Sequence, residues 1–328
     1  MTGSKMQKIY LTTQIPQWVQ SKLSAHLPDF EVLRLSSENL MDHKWENVEA
    51  LMIRSQTQIH SKLISYFKDL KIVATATSGF DHLDLKTLKL KNIKAFYTPD
   101  ANVISTADLT MLHLLMTLRN NFLPEIYKTN FNWKNQLLLG SETSEKSLGI
   151  IGLGRIGKEV AKRALSFGFK VYYHDPYLLK STPIDPNLQP LELKELLCRC
   201  DVITLHTPLT VETKNLINKL TLKLFGEDKI LINCARGELV NTQDMLSAID
   251  KGILKYVGLD TFEHEPLAMS SALRHHPKIF WTPHIGAHTH QAFEKSCLEA
   301  SSGLVQFFLH HQEPKNILPP NVLWAKHL

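Results

Sequence analysis

The sequence predicts an α/β chain made of two doubly wound parallel sheets, with one domain inserted into the other. Three observations lead there. Apolar runs of strand length alternate with amphipathic helical patterns along nearly the whole chain, as parallel strands joined by crossover helices require. The alternation falls into two series, each followed by a long helical pattern, at 106–118 and 292–309. The second series opens on a glycine-rich turn with an acid 18 residues beyond its last glycine. At 328 residues there is length for two cores rather than one.

Residues 8–11, 50–54, 72–75 and 95–97 read as strands of the first, smaller unit. Residues 106–118 read as a strongly apolar helix carrying Leu109, Met111, Leu112, Leu114 and Leu115. Asn102 and Ser105 stand upstream as candidate N-caps, whose side-chain oxygens accept from the first free N–H groups of a helix. The second series has strands near 148–151, 170–174, 201–205, 229–233, 255–259 and 279–281. Pro314, Pro319 and Pro320 end regular structure after the last helix. With that helix returned to the first unit, the first unit is discontinuous: residues 1–101 plus 287–328, around an insert of 102–286.

The second series begins with Leu148-Gly149-Ile150-Ile151-Gly152-Leu153-Gly154-Arg155-Ile156-Gly157, a strand, a turn and a helix start. Lys170-Val171-Tyr172-Tyr173-His174-Asp175 is a second strand ending in a carboxylate. Each part suits a dinucleotide. Gly152 permits the tight turn, Gly154 lets the backbone approach a pyrophosphate, and Gly157 lets the helix pack closely on the strand. The helix N-terminus offers unpaired N–H groups and a positive dipole end to phosphates. Asp175 can accept from both ribose hydroxyls. Pro176, Tyr177, Leu178 and Leu179 follow it, and Lys180 is the first basic residue. A 2′-phosphate would meet a carboxylate and no nearby arginine, so NAD is expected rather than NADP. The insert is therefore a Rossmann-type cofactor domain and the smaller unit a flavodoxin-like substrate domain.

The net charge of +5 comes from scattered Lys and Arg, with no basic block interleaved with aromatics, so nucleic-acid binding is not expected. The excess suits an anionic substrate. Cys198, Cys200, Cys234 and Cys297 form neither a Cys-x-x-Cys pair nor a zinc-spaced set with histidine. They read as reduced, buried thiols of a cytoplasmic protein that uses no metal. No apolar run approaches 18 residues, so no membrane span is expected.

In open parallel sheets, ligands sit beyond the carboxyl ends of the strands. Polar residues recur there. Ile232-Asn233-Cys234-Ala235-Arg236-Gly237 ends one buried strand with an arginine, and Gly258-Leu259-Asp260 ends the next, with Glu263, His264, Glu265 and Pro266 after it. Trp281-Thr282-Pro283-His284-Ile285-Gly286 ends the last with a histidine. Beside NAD, this set points to hydride transfer at an oxygen-bearing carbon. His284 is the natural acid–base group for the hydroxyl proton. Glu265 is placed to orient it and raise its pKa. Arg236 can clamp a substrate carboxylate bidentately and polarise the C2 oxygen.

These residues resemble the D-isomer-specific 2-hydroxyacid dehydrogenases, and the resemblance spans nearly the whole chain. Asn233 to Gly237 resembles the family's arginine motif, Asp260 to Pro266 its glutamate motif, and Thr282 to Gly286 its histidine motif. His206-Thr207-Pro208-Leu209-Thr210, continuing through Thr213, resembles the segment bordering the cofactor. The resemblance implies catalytic roles for Arg236, Glu265 and His284. It implies NAD contacts from Gly152, Gly154, Arg155, Ile156, Gly157, Asp175, His206, Thr207, Pro208, Thr213, Cys234, Ala235, Asp260, His284 and Gly286, with Asp260 on the nicotinamide carboxamide. Ser78-Gly79-Phe80-Asp81-His82-Leu83-Asp84 resembles the substrate loop, whose backbone N–H groups bind the carboxylate. Asn102-Val103-Ile104-Ser105-Thr106-Ala107-Asp108 resembles the family's Asn-x-x-Ser-x-Ala-Glu stretch, with Asp108 in place of Glu. Substrate contacts are thus implied for Arg54, Ser78, Gly79, Asn102 and Arg236.

Within the family, Arg54-Ser55-Gln56-Thr57 resembles the Arg-Ser-x-Thr of phosphoglycerate dehydrogenases, the first expectation. Many of those enzymes carry a further arginine just before the glycine loop, where this chain has Thr75 or its neighbours. Ala74 to Gly79 instead resembles erythronate-4-phosphate dehydrogenase, and a glyoxylate or hydroxypyruvate reductase stays open. The family also includes NAD-binding corepressors that recruit protein partners; a complete catalytic set favours an enzyme. Family members are usually dimers through the cofactor domain, and the helix 106–118 with Trp133, Leu137, Leu138 and Leu139 is the expected contact.

Overall fold

The computed structural model describes residues 6–42, 44–119, 139–178 and 185–318. The chain divides into two compact units, Met1–Asn102 with His288–Leu328, and Val103–Ala287. Both changeovers fall one residue later than the sequence reading placed them.

The first unit holds five parallel strands in the order β2-β1-β3-β4-β5, the flavodoxin-like arrangement. They are β1 (Gln7–Thr12), β2 (Phe30–Leu35), β3 (Val48–Ile53), β4 (Ile72–Thr75) and β5 (Lys94–Phe96). Alternation of side chains sends each strand into two cores. Ile9, Leu11, Ala50, Met52, Ile72 and Ala74 pack with Val19 and Leu23 of the helix Gln17–His26, and with Cys297, Ala300 and Leu304 of the helix His290–Leu309. Tyr10, Leu51, Ile53 and Val73 face the other way, onto Leu63, Ile64 and Leu88. A sheet covered on both faces explains the unbroken apolar runs of β3 and β4.

The second unit holds seven parallel strands in the order β12-β11-β10-β9-β6-β7-β8. These are β6 (Ser147–Ile151), β7 (Lys170–His174), β8 (Leu188–Pro190), β9 (Val202–Leu205), β10 (Lys229–Asn233), β11 (Leu254–Leu259) and β12 (Ile279–Trp281). The order reverses between β6 and β9, the switch point of a Rossmann sheet, where a ligand crevice opens at the carboxyl ends. The helices Val103–Arg119 and Arg155–Ser166 contribute Ala107, Met111, Leu114, Val160 and Ala164 to the core over Leu148, Ile150, Val202 and Ile232.

Two strands escaped the sequence reading. β2 is an edge strand in which only Val32 is buried, so its apolar signal is weak. β8 is a three-residue edge strand ending in Pro190, a residue tolerated only where its missing N–H faces no partner. The apolar helix starts at Val103, so Ser105 lies buried within it instead of capping it. Cys198 is exposed, unlike the other three thiols, all of them free. Among the described residues no helix is long and apolar enough to cross a membrane.

Candidate active site

The glycine turn is shaped by what its residues lack. Gly152 stands at φ +92°, where a side chain is strained, and a Cβ there would meet the carbonyl carbon of His206 at 2.8 Å. A Cβ on Gly157 would lie 2.1 Å from the Gly152 carbonyl oxygen, so only glycine lets the helix sit this close to β6. Around Gly154 a Cβ would meet nothing within 4 Å, and this N-cap carries no side-chain hydrogen bond. Open space thus lies beside Gly154 at the N-terminus of a 12-residue helix, which suits a pyrophosphate.

Asp175, half-buried at the end of β7, accepts from the Leu153 N–H at 2.9 Å and from the Tyr177 N–H at 3.0 Å. The carboxylate is thereby fixed beside the glycine turn, as a ribose acceptor must be. Leu179 and Lys180 lie outside the described residues. At the end of β9, the His206 N–H donates to the Ile151 carbonyl, and its Nε2 is 2.9 Å from the Thr204 hydroxyl. Burial drives its pKa down to about 3, so it is neutral. Thr213 donates to the Pro208 carbonyl at 2.7 Å and accepts from the Thr210 N–H, folding the Thr207–Pro208 segment on itself. Arg155 is exposed and Ile156 half-buried at the helix start.

The other strand ends carry chemistry. After β10, Cys234 is buried, and burial holds its thiol protonated. Asn233 accepts from the Ala235 N–H and donates to the Arg236 carbonyl, fixing the turn that presents Arg236. One arginine nitrogen donates to the Ala235 carbonyl at 2.7 Å. A Cβ on Gly237 would come within 1.9 Å of the Phe262 carbonyl carbon, so the turns after β10 and β11 touch with no space between. Arg236 and the glutamate turn are placed by that contact.

Glu265 Oε2 lies 2.6 Å from His284 Nδ1, and its Oε1 accepts from the Phe262 N–H. The hydrogen bond to Glu265 raises the His284 pKa above its ordinary value, against burial and the Arg236 charge. Burial would push the Glu265 carboxyl up, but the His284 hydrogen bond and charge, the Phe262 N–H and Arg236 outweigh it and hold it down. The His284 side chain is 49% exposed and that of Glu265 35%. The pair is held, yet open to a ligand.

His284 adopts φ +53°, an unfavourable region for a non-glycine residue, so its surroundings must enforce it. Asp260 does most of this. Its Oδ1 accepts from Thr282 Oγ1 at 2.6 Å and the Ile285 N–H at 2.8 Å, and its Oδ2 accepts from the Gly286 N–H at 2.8 Å. Burial raises the Asp260 pKa, and these three donors oppose the rise. Asp260 is thus a bracket under the histidine turn, a role its place in the sequence did not reveal.

Arg54, Ser78, Gly79 and Asn102 belong to the other unit. There Arg54 is half-buried, with Nη1 donating to Ser296 Oγ at 3.2 Å and its guanidinium 4.6 Å from the Phe293 ring centre. Ser78 Oγ lies 2.6 Å from Asn102 Oδ1 and 3.0 Å from the Thr98 carbonyl. Asp108, which departs from the family's glutamate, pairs with Arg163 within the second unit.

A Rossmann sheet with a dinucleotide turn at one strand end and an Arg–Glu–His set at others defines a nicotinamide-dependent oxidoreductase. The comparisons give the family. Residues 109–286 match the model of the "D-isomer specific 2-hydroxyacid dehydrogenase, NAD binding domain". The chain is 34% identical over 283 residues to the D-3-phosphoglycerate dehydrogenase of Bacillus subtilis (strain 168), covering 86% of this chain and 54% of that one. It is 34% identical over 278 residues to the hydroxypyruvate reductase of Thermotoga maritima, covering 84% and 87%. The D-lactate dehydrogenase of Aquifex aeolicus, solved with NAD and lactic acid, superposes with a TM-score of 0.79 at 28% identity, over 94% of this chain and 98% of that one. This chain belongs to the D-isomer-specific 2-hydroxyacid dehydrogenase family, and its cofactor is NAD. It spans about half the length of the phosphoglycerate dehydrogenases it matches.

Proposed function

We propose that this chain catalyses reversible hydride transfer between NAD and C2 of a small D-2-hydroxy or 2-keto acid. The observation that carries the reading is the 2.6 Å Glu265–His284 pair, open to a ligand and in the field of Arg236. With Nδ1 engaged by Glu265, Nε2 is the nitrogen left to face substrate. In reduction it gives its proton to the C2 oxygen; in oxidation it takes that proton up. Arg236 holds the substrate carboxylate and draws electron density from C2. When bound, NAD supplies or accepts the hydride at its nicotinamide. The N–H groups at the start of the helix Arg155–Ser166 and the Asp175 carboxylate are the residues that would hold it.

For the substrate, 3-phosphoglycerate and its keto acid are the first reading. Arg54 and the names of several relatives support it. A second reading, hydroxypyruvate or glyoxylate, is favoured by Thr75. That residue is fully buried and hydrogen-bonded to Thr77 and His82, and neither it nor its neighbours Ala74 and Ala76 is the extra arginine that many phosphoglycerate dehydrogenases carry in this stretch. NADH oxidation with phosphohydroxypyruvate, hydroxypyruvate and glyoxylate at fixed enzyme concentration decides between them. Tight NADH binding with no turnover of any keto acid would instead fit a corepressor-like module. The helix Val103–Arg119 exposes Ile104 and Leu112, which supports a homodimer through the cofactor unit; light scattering tests it. Trp133, Leu137 and Leu138 lie outside the described residues, and Leu139 is exposed.

A further inference from the structure

His113 is a fully buried imidazole within an apolar helix, and the proposed reaction makes no direct use of it. Its Nε2 is 2.9 Å from Thr282 Oγ1. A hydroxyl has one proton to give. Thr282 gives that proton to Asp260 Oδ1, at 2.6 Å, so it must accept from His113. Nε2 of His113 therefore carries a hydrogen and Nδ1 does not. Nδ1 is buried without a hydrogen-bond partner among the described residues, and a Cβ on Gly258 would lie 2.9 Å from it. Burial lowers the His113 pKa to about 3, in keeping with a neutral ring. A histidine kept merely to fill space would satisfy both nitrogens or give way to an apolar side chain; a buried nitrogen left unpaired calls for a reason.

The same helix face supplies a second contact. Thr106, seven residues earlier and so two turns along, donates to the Gly286 carbonyl at 3.2 Å. The helix thus holds residues 282–286 at both ends, with the strained His284 between them. Between the two grips, Asp260 binds the hydroxyl of Thr282 and the N–H groups of Ile285 and Gly286.

We propose that His113 is a positioning residue for His284: by donating from Nε2 to Thr282 it fixes the frame that presents the catalytic imidazole to Glu265. The inference rests on the assignment of His284 as the acid–base group. Losing the donor leaves Thr282 free to turn and slackens the Asp260 bracket. His284 then holds its hydrogen bond to Glu265 less well. The charged groups facing His284, namely Glu265, Arg236 and Asp260, are unchanged by the substitution.

Two variants test this. His113→Met fills the space with no donor, and His113→Gln restores an N–H near the Nε2 position. His113→Met is expected to lower kcat roughly 10- to 100-fold, as small misplacements at an active site do, with KM for NADH unchanged. The alkaline fall of keto-acid reduction should move to lower pH by about half a unit or more, following a weaker Glu265 hydrogen bond. His113→Gln should recover most of both. NMR titration of the His284 imidazole should show the same downward movement in His113→Met and recovery in His113→Gln. Wild-type kcat and pH limb in His113→Met would overturn the proposal. So would equal impairment of both variants with an unmoved His284 titration and a lowered Tm, which is the mark of packing alone. Should the parent enzyme turn over no keto acid, or His284→Gln remain active, the reaction reading fails. The NMR titration then still decides whether His113 controls His284.

Discussion

The glycine turn at residues 152–157 and the histidine turn at 282–286 stand at strand ends of one sheet, yet they are built in opposite ways. The first depends on missing atoms: Gly152 at positive φ, Gly157 against a carbonyl oxygen, Gly154 facing open space. The second depends on added ones. A residue with a full side chain sits at positive φ there, held by Asp260, Thr282, Thr106 and His113. A surface that must approach a ligand's backbone-sized phosphates is made by removing side chains. A single group that must move a proton is made by surrounding it with them. The cofactor turn should therefore fail on addition and the catalytic turn on removal.

Substitutions can break that contrast. His284→Gln is expected to lower turnover about 10²- to 10⁴-fold, the usual worth of an acid–base group, and to leave NADH affinity near the parent value. Steady-state rates with fluorescence titration of NADH measure both, and a fall in affinity as large as the fall in rate would erase the distinction between the turns. Gly157→Val drives a side chain into the Gly152 carbonyl; a Tm lower by roughly 5–10 °C is expected from overpacking, with weakened NADH binding. An unaltered melting curve would mean that the helix can shift away freely. Asp175→Ala should weaken NADH binding about 10- to 100-fold and narrow the preference over NADPH, for loss of charge-assisted hydrogen bonds. Equal use of both cofactors by the parent enzyme would already contradict the role given to Asp175.

The smallest expected effect in rate carries the clearest sign in pH. Glu265 raises the His284 pKa, so the protonated imidazole that reduction needs persists above 6.5 and is lost as pH rises through the raised value. Glu265→Gln should move that fall downward and cost about tenfold at neutral pH. The pair's contribution to stability follows the same logic. The histidine part is fully present below 6.5 and fades as pH rises through the folded-state pKa. The glutamate part is present above 4.5 and fades as pH falls through its lowered pKa. Thermal melts of the parent and Glu265→Gln should differ most between those values.

The chemistry-bearing turns were legible because glycine, arginine, glutamate and histidine sit at strand ends, where a buried apolar run stops abruptly at a polar residue. The supports were not. Asp260 is visible as a strand-end acid, but the direction of its carboxylate follows from the fold of residues 282–286. His113 reads as one polar residue between Leu112 and Leu114, and only the packing of its helix over β11 and β12 brings it to Thr282. The signal available was a face of Thr106, Thr110, His113 and Thr117 in an apolar helix, too many buried polar groups for a plain core stripe. β2 and β8 were missed for want of burial, since an edge strand with a wet face leaves little periodicity to read.

The discontinuous first unit also fixes an order of events. One face of its sheet is shared by the helix Gln17–His26 and by Cys297, Ala300 and Leu304 of the helix His290–Leu309, which leaves the ribosome after the whole of Val103–Ala287. The part of that face over β3 and β4, with Met52 and Ile72, therefore waits for this helix, roughly ten to forty seconds at ~5–20 residues per second of synthesis, while the helix Gln17–His26 is already made. The unit encoded first is completed last, and the nascent chain is most vulnerable to wrong association during that interval.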